Sequence, residues 1–151
     1  MARPPFQRRI HTSRTETVDV RLHGPAGFEN AALTYGPVAD NCHVELRLSD
    51  EAVITADEAD YFEALVTVRR ELDRRGLRLC CQGARKDVWA SGMSRDMSGG
   101  LLGYVLRDGT TVAHPGDHVH IFAPAMPELV GTVEEQRRHA ERWYGDARDD
   151  R

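Results

Sequence analysis

Cysteine is scarce in this chain, and its distribution argues against a disulfide-stabilised protein. The 151 residues include three cysteines, Cys42, Cys80 and Cys81. The count is odd and two of the three are adjacent, unlike the even, spaced framework of a secreted disulfide scaffold. The sequence therefore indicates a cytoplasmic protein with reduced thiols. The adjacent pair lies in a predicted strand, which lacks the exposed, electropositive setting of a nucleophilic cysteine.

Long apolar runs and an excess of basic charge are also missing. No segment approaches the ~20 consecutive apolar residues that span a bilayer, and the basic N-terminus is not followed by the apolar stretch of a secretory signal. The net charge of −4 differs from that of a typical nucleic-acid-binding domain. We therefore expect no membrane partner and no nucleic-acid partner. The apolar fraction of 40% is typical of a globular domain.

The familiar catalytic and cofactor motifs are absent from the sequence. It contains neither a G-x-x-x-x-G-K-[ST] phosphate loop nor a G-x-G-x-x-G dinucleotide fingerprint. It also lacks the H-E-x-x-H zinc motif and the G-x-S-x-G nucleophile elbow. We therefore predict no cofactor. Enzymatic activity stays undecided, and a role without catalysis is favoured.

The length fits one domain with its own hydrophobic core. We predict a flexible basic arm over residues 1–15, because termini of this kind are seldom tied down. A single domain is expected over residues 16–145, followed by a frayed tail at 146–151.

Apolar and polar residues alternate in several short segments, which indicates strands. The clearest are residues 17–22 and 42–48, where every second residue is apolar. Further strands are expected at 77–82, at 101–106 and at 118–123. The Asp-Gly pair after the fourth of these segments predicts a hairpin with a returning strand at 111–114. Polar residues on one side of the strands favour an antiparallel sheet.

Two segments have helical periodicity. A capping-box pattern at Thr55–Glu58 and apolar residues at a 3.6 period predict a long helix over about 57–75. A second capping box, Thr132–Glu135, begins a C-terminal helix that runs through Trp143. The order of elements predicts an α+β fold: a mostly antiparallel sheet of about five to six strands with the long helix packed on one face. The thin apolar side of the C-terminal helix leaves an oligomer possible there.

The segment from Gly83 to Gly109 has no regular period and concentrates glycine, serine and charge. Ser91 or Ser94 is expected to cap one helical turn, on which Met93 and Met97 would face the core together. In one interpretation, Ser91–Gly100 is a ligand loop for a small anion or nucleotide-type molecule. In the other, the same polar residues form a structural network that ties Arg95 and Asp96 to the domain. The candidate binding residues are Arg85, Asp87, Ser91, Ser94, Arg95 and Asp96.

The same segment carries a resemblance to a known type of protein. Residues 79–109 resemble a group of small bacterial proteins that share a long signature. The matching residues are Cys81, Gly83, Arg85, Asp87, Val88, Ser91, Gly92, Met93, Arg95, Asp96, Met97, Gly100, Tyr104 and Leu106. Trp89 and Ala90 depart from the tyrosine and proline of that signature. The resemblance covers about a fifth of the chain and implies no established activity, although small proteins of this sort often look like immunity or partner-binding proteins.

Histidines cluster in the "HPGDHVH" stretch. His118 and His120 would share one face of a strand, with His114 close by, which is an arrangement that metal sites use. The spacing matches no established zinc motif, and two histidines on a hydrated strand face explain the pattern equally well. These three residues are therefore weak candidates for metal ligands, and no metal is predicted.

Three classes of function remain after these exclusions. The favoured one is a small cytoplasmic protein-binding module, immunity-like or regulatory, without catalytic activity. Its partner surface is expected on the polar sheet face that carries His43, Glu45 and Arg47. The alternatives are an anion or nucleotide-type ligand binder or enzyme that uses the Ser91–Gly100 loop, and a metal-binding protein that uses the histidine cluster.

Overall fold

The structure of the protein, a computed structural model, describes residues 14–149. Most of the arm predicted over residues 1–15 lies outside the described residues, as do residues 150 and 151 of the predicted tail. The described chain has the α+β architecture expected from the sequence. A curled five-stranded antiparallel sheet packs against one helix, and a three-stranded sheet and a C-terminal helix complete the fold.

The five-stranded sheet contains the first four strands of the chain and one strand that follows the first helix. Its spatial order is β4-β3-β2-β1-β5, with antiparallel neighbours throughout. The strands are β1 (Glu16–Gly24), β2 (Gly27–Val38), β3 (Asn41–Arg47), β4 (Val53–Glu58) and β5 (Arg78–Leu79). The strands predicted at 17–22 and 42–48 are confirmed. Their apolar residues face inward, because alternate positions such as Val20, Leu22, Val44 and Leu46 are buried.

The longest strand, β2, was missed by pattern analysis. Its composition explains the miss, since residues 27–38 include two glycines, a proline, an asparagine and an Ala-Ala pair, which have low strand propensity. The segment is extended because it pairs along its length with β1 on one side and with β3 on the other. The chain enters β2 through a tight hairpin in which Gly24 pairs with Gly27. Gly27 has φ +103°, a conformation that favours glycine.

The first helix, α1 (Tyr61–Arg74), begins later than the expected start near residue 57. Thr55 and Glu58 belong to β4, so the predicted capping box between them is wrong. The T-A-D-E pattern is also compatible with a strand, and pairing with β3 decides between the two. Asp60 is the actual N-cap, where its carboxylate accepts a hydrogen bond from the backbone N–H of Glu63 at 2.8 Å.

The hydrophobic core lies between α1 and the inner face of the five-stranded sheet. Phe62, Leu65 and Leu72 of the helix are fully buried against Leu33 and Leu46 of the central strands. Each such side chain contributes about 1.5–3 kcal/mol relative to exposure to water. This layer fixes the position of α1, and the second half of the chain packs against that helix.

The second half of the chain forms a small sheet flanked by two helices. Its elements are β6 (Val88–Trp89), α2 (Gly92–Ser98), β7 (Leu102–Val105), β8 (His118–His120) and α3 (Val133–Asp149). The sheet order is β6-β7-β8. The strand expected at 111–114 does not form, because the chain is irregular there and β7 pairs instead with β8. No helix within residues 14–149 has the length and apolar character needed to cross a membrane.

The capping box predicted at the start of α3 is confirmed. The backbone N–H of Glu135 donates to the Thr132 hydroxyl at 3.0 Å, and the Glu135 carboxylate accepts from the Thr132 N–H at 3.0 Å. Asp73 of α1 also accepts a hydrogen bond from the Val133 N–H at 3.0 Å. The helix extends to Asp149, beyond the boundary drawn at residue 145 from the sequence.

A buried polar cluster, which we call the Arg69 network, joins α1 to α3. Arg69 is 2% exposed, and its guanidinium donates to Gln136 Oε1 at 2.6 Å and to three backbone carbonyls, those of Gly83, Ala84 and Gly131. The Gln136 amide nitrogen donates in turn to the carbonyls of Gly83, Arg85 and Val88. The network therefore anchors the segment that connects the two sheets to both helices.

We predict that Gln136→Leu lowers the free energy of unfolding by about 3 kcal/mol, because a buried guanidinium and several carbonyls lose partners at once. Urea denaturation followed by circular dichroism measures the change. Arg138→Ala is the control, since Arg138 is exposed on the same helix and its loss should change stability by less than ~0.5 kcal/mol. Equal stability of Gln136→Leu and the wild type would contradict an anchoring role.

Candidate functional site

The glycine- and serine-rich segment folds into α2 and the turn that leads to β7. Ser91, one of the two serines expected to cap a helical turn, is the N-cap of α2: its hydroxyl accepts a hydrogen bond from the Ser94 N–H at 3.1 Å. The Ser94 hydroxyl donates to the carbonyl of Leu102. Gly99 and Gly100 end the helix with φ +65° and +82°, which glycine adopts without strain.

The prediction that Met93 and Met97 face the core is wrong. They are 71% and 43% exposed, while Ser94 and Ser98 are buried on the opposite side of α2. The serines are buried because their hydroxyls satisfy backbone groups: Ser98 donates to the Ser94 carbonyl and accepts from the Leu102 N–H. The spacing of the methionines was interpreted correctly as one helix face, but that face is the one toward solvent.

Arg95 connects α2 to the beginning of α1. Its Nη1 lies 3.4 Å from Asp60 Oδ2 and 3.2 Å from Glu63 Oε2, and its Nε donates to the carbonyl of Ala90 at 3.0 Å. The guanidinium carbon also lies 4.9 Å from the ring centroid of Phe62 and 5.5 Å from that of Trp89, within cation–π range. All three kinds of contact bind Arg95 to the body of the domain.

The backbone reinforces this attachment of α2 to α1. The Tyr61 N–H donates to the Gly99 carbonyl at 2.7 Å. A Cβ atom on Gly100 would lie 2.9 Å from Asp60 Oδ1 and 2.9 Å from the Phe62 nitrogen, so a larger residue would separate the two helices.

Arg85 and Asp87 form a second, separate pair. The guanidinium donates to both carboxylate oxygens at 2.9 Å and to the side chain of Gln82 at 2.9 Å. Asp96 is exposed on α2. The candidate arginines are therefore held in two sets of contacts, Arg95 by Asp60 and Glu63 and Arg85 by Asp87. The arginines and serines proposed to hold an anion instead have partners in the protein, which favours the structural interpretation of the segment.

The three histidines of the predicted cluster have separate environments. His114 is exposed in an irregular stretch, and the ring of His118 stacks 4.5 Å from that of Tyr104. His120 packs among aromatic rings, and its Nδ1 accepts a hydrogen bond from the Phe122 N–H at 3.2 Å. Within residues 14–149, no three histidine, cysteine, aspartate or glutamate side chains are grouped to hold a metal ion.

The buried cysteines are in protonated, unreactive settings. Burial raises the pKa of the Cys81 thiol to about 11, and it raises the pKa of Cys80 as well, against a smaller opposing effect of Arg21. A thiol of raised pKa contains little thiolate near neutral pH, and thiolate is the nucleophilic form.

A cleft of about 540 Å³ lies between the β1–β2 hairpin and the segment 121–130. One wall consists of residues from β1 and β2, and the other consists of residues that follow β8. The residues that line the cleft are Asp19, Val20, Arg21, Phe28, Asn30, Cys80, Gln82, Phe122, Pro124, Ala125, Met126, Pro127 and Leu129. The lining is mainly apolar, with polar side chains concentrated on the strand side.

Backbone pairing holds the second wall beside the sheet. The Cys80 N–H donates to the carbonyl of Arg21 at 2.8 Å, and the Ala125 N–H donates to the carbonyl of Cys80 at 3.1 Å. An isolated antiparallel bridge joins Cys81 to Pro124. Pro124 and Pro127 lack backbone donors, so a regular strand is not continued there and the chain leaves the sheet. The departure of the chain from the sheet opens the cleft.

The cleft concentrates large apolar side chains that water reaches. Phe28 is 49% exposed, Met126 is 62% exposed and Leu129 is 40% exposed, and all three line the cleft. Clustered apolar exposure of this kind marks interaction surfaces. The site was not predicted from the sequence, although "APAMPEL" combines apolar residues with two prolines, a pattern that leaves apolar side chains outside a sheet.

The predicted partner surface on the sheet lies on the exposed side of β3 and β4. His43 Nδ1 is 2.7 Å from Asp57 Oδ1, and Arg47 is 3.5 Å from Glu45. Polar pairs and the partly exposed Val53 occupy this face, whereas Phe28, Met126 and Leu129 are exposed together at the cleft.

The C-terminal helix directs its apolar side into the domain. Trp143 and Ala140 pack against Leu106, and the Trp143 indole N–H donates to the carbonyl of Arg107 at 3.2 Å. This contact stabilises the small sheet, and an oligomer through the C-terminal helix stays a prediction.

Comparison with known proteins identifies no relative: no family model matches the chain, and no curated protein matches its sequence. The resemblance of residues 79–109 to small bacterial proteins therefore stays a prediction.

We predict that Arg95→Ala lowers the free energy of unfolding by about 2 kcal/mol, since two ion pairs, a carbonyl hydrogen bond and the aromatic stacking are lost. Chemical denaturation measures the loss. Arg47→Ala is the matched control: Arg47 also contacts two carboxylates, Glu45 and Glu51, but it is about half exposed, so its loss should cost little. A change below ~0.5 kcal/mol for Arg95→Ala would argue against the structural role.

His120 should make the fold sensitive to acid. Burial lowers the pKa of His120 below its ordinary value of 6.5, and Glu16 opposes this only in part. The unfolded chain therefore binds a proton at this position more readily than the folded chain does, so stability falls as the pH drops below about 6.5. We expect His120→Gln to lose less stability than the wild type between pH 7 and pH 5, in denaturation curves measured at each pH. Parallel pH profiles of the two proteins would contradict this assignment.

Proposed function

We propose that this protein is a polypeptide-binding module without catalytic activity, and that the cleft beside the β1–β2 hairpin binds an apolar side chain of its partner. The observation that carries the proposal is the convergence of Phe28, Met126 and Leu129 on one cleft while each is at least 40% exposed. Burial of such side chains by a partner contributes roughly 25 cal/mol per Å² of apolar area.

The cleft is large enough to enclose one or more side chains of a partner. Its volume of about 540 Å³ lies in the range of specific binding pockets. Methionine at the rim adapts its shape to different apolar surfaces, which is common at peptide-binding sites. The polar strand wall provides side chains of Asp19, Arg21 and Asn30 that the extended backbone or polar groups of a bound segment can contact.

The alternatives have less support. An anion site in Ser91–Gly100 requires free hydrogen-bond donors. The guanidinium groups of Arg85 and Arg95 already bind carboxylates, and Ser91 already caps α2. A metal site requires convergence of the three histidines, whose side chains have different neighbours. No observation in the described part of the chain favours either function over polypeptide binding.

The proposal predicts that the full chain enriches specific peptides from a phage-displayed library of random 12-residue sequences, and that Met126→Asp abolishes the enrichment. A charge at the rim is costly to cover with an apolar side chain, so binding should weaken at least tenfold. Met93→Asp is the matched control, because Met93 is 71% exposed but lies on α2. It should leave binding unchanged.

Both variants should keep the melting temperature of the wild type, since the replaced side chains are exposed. The proposal fails if no peptide is enriched, or if the enriched peptides bind Met126→Asp as well as they bind the wild type.

A further inference from the structure

The position and pairing of Arg21 specify more about the segment that the cleft accepts. The guanidinium carbon of Arg21 lies 4.0 Å from the ring centroid of Phe28, in a cation–π contact at the cleft wall. Arg21 is opposite Asn30 in the sheet, whereas Phe28 is opposite His23, two residues closer to the hairpin turn. The side chain of Arg21 therefore leans toward the turn and is held beside the exposed aromatic ring.

Arg21 differs from the other arginines that were considered as binding residues. Arg85 and Arg95 are both paired with carboxylates inside the protein. Within residues 14–149, by contrast, no ion pair joins Arg21 to a carboxylate, and its guanidinium lies over the ring of Phe28. A guanidinium that is positioned by an aromatic ring and lacks a carboxylate is suited to bind one from another molecule.

The strand wall of the cleft carries opposite charges at its two ends. Asp19 also lines the cleft and lies two residues before Arg21 on the same strand face. Because Arg21 leans toward the hairpin turn, away from Asp19, the turn end of the wall is positive and the other end is negative. The wall thus favours a carboxylate at the turn end, beside Phe28, and disfavours one next to Asp19.

We propose that the cleft selects polypeptide segments in which an apolar side chain stands close to a carboxylate, with the apolar group between Met126 and Phe28 and the carboxylate on Arg21. This inference rests on the proposed function and adds the chemistry of the partner segment. A small free acid would bind Arg21 but leave Met126 and Leu129 exposed. One short segment of a protein can bind Arg21 through a carboxylate and also cover the apolar side chains of the other wall.

The test uses the full chain and the same random 12-residue library. The wild type is expected to enrich peptides that combine an apolar residue with Asp or Glu within a few positions. Selection on Arg21→Gln is expected to keep the apolar preference and lose the acidic one. A synthetic wild-type-selected peptide should bind Arg21→Gln about fivefold more weakly, which corresponds to the ~1 kcal/mol of an exposed ion pair.

Two further variants act as controls. Arg70→Gln makes the same exchange at an exposed arginine of α1 and should leave both preferences unchanged. Arg21→Lys keeps the positive charge and should keep the acidic preference, which separates a charge effect from any change in folding. Melting temperatures of all variants verify that the proteins are folded.

The outcomes distinguish the two proposals. Enrichment of apolar peptides without acidic residues, or an acidic preference that survives in Arg21→Gln, overturns the role of Arg21 and leaves the polypeptide-binding function standing. Absence of any enrichment overturns the polypeptide-binding function, and the inference with it. Equal competition by acetate or free glutamate at concentrations that match the peptide would also overturn the inference, because a small acid would then suffice.

Discussion

The fold depends on the Arg69 network, in which one buried guanidinium joins α1 to α3 beside the hydrophobic core that both halves of the chain share. The inner face of the five-stranded sheet is covered by α1, and the small sheet with α3 packs at the side of that layer. Arg69 and Gln136 join these parts by donating to carbonyls of the connecting segment, at Gly83, Ala84, Arg85, Val88 and Gly131. A buried arginine without a directly bonded carboxylate requires this dense set of acceptors, because its charge is otherwise poorly solvated. Burial accordingly lowers the pKa of Arg69.

The need to satisfy buried polar groups also explains why the glycine- and serine-rich segment 79–109 has a structural role. The segment 79–109 leaves the main sheet, passes the Arg69 network and returns against the start of α1. Arg95 and the turn at Gly99–Gly100 fasten it there through Asp60, which also caps α1. Polar residues are numerous in this segment because short elements must satisfy many free backbone groups with side chains. The apolar cleft lies outside this segment's helix, where prolines turn the chain after β8 away from the sheet edge.

Parts of the fold were predictable because local chemistry and tertiary structure agree there. The strands at 17–22 and 42–48, the capping box at Thr132–Glu135 and the Ser91 cap follow from patterns of two to four residues. The cleft was not predictable in this way. Its walls come from residues near 20, 80 and 125, and their meeting depends on the pairing of Cys80 with both Arg21 and Ala125.

The sequence by itself determined the α+β class, the polarity of the faces of β1 and β3 and the absence of familiar catalytic motifs, because periodicity and motif spacing are local properties. Only the tertiary structure decided that Thr55–Glu58 is a strand, that residues 27–38 are the central strand and that Met93 and Met97 face solvent. In each case the local sequence did not specify the structure, and pairing with β1 and β3 or the burial of Ser94 and Ser98 decided it. The partners of Arg21, Arg85 and Arg95 were decided in the same way, since an arginine side chain reaches whatever the fold brings within its length.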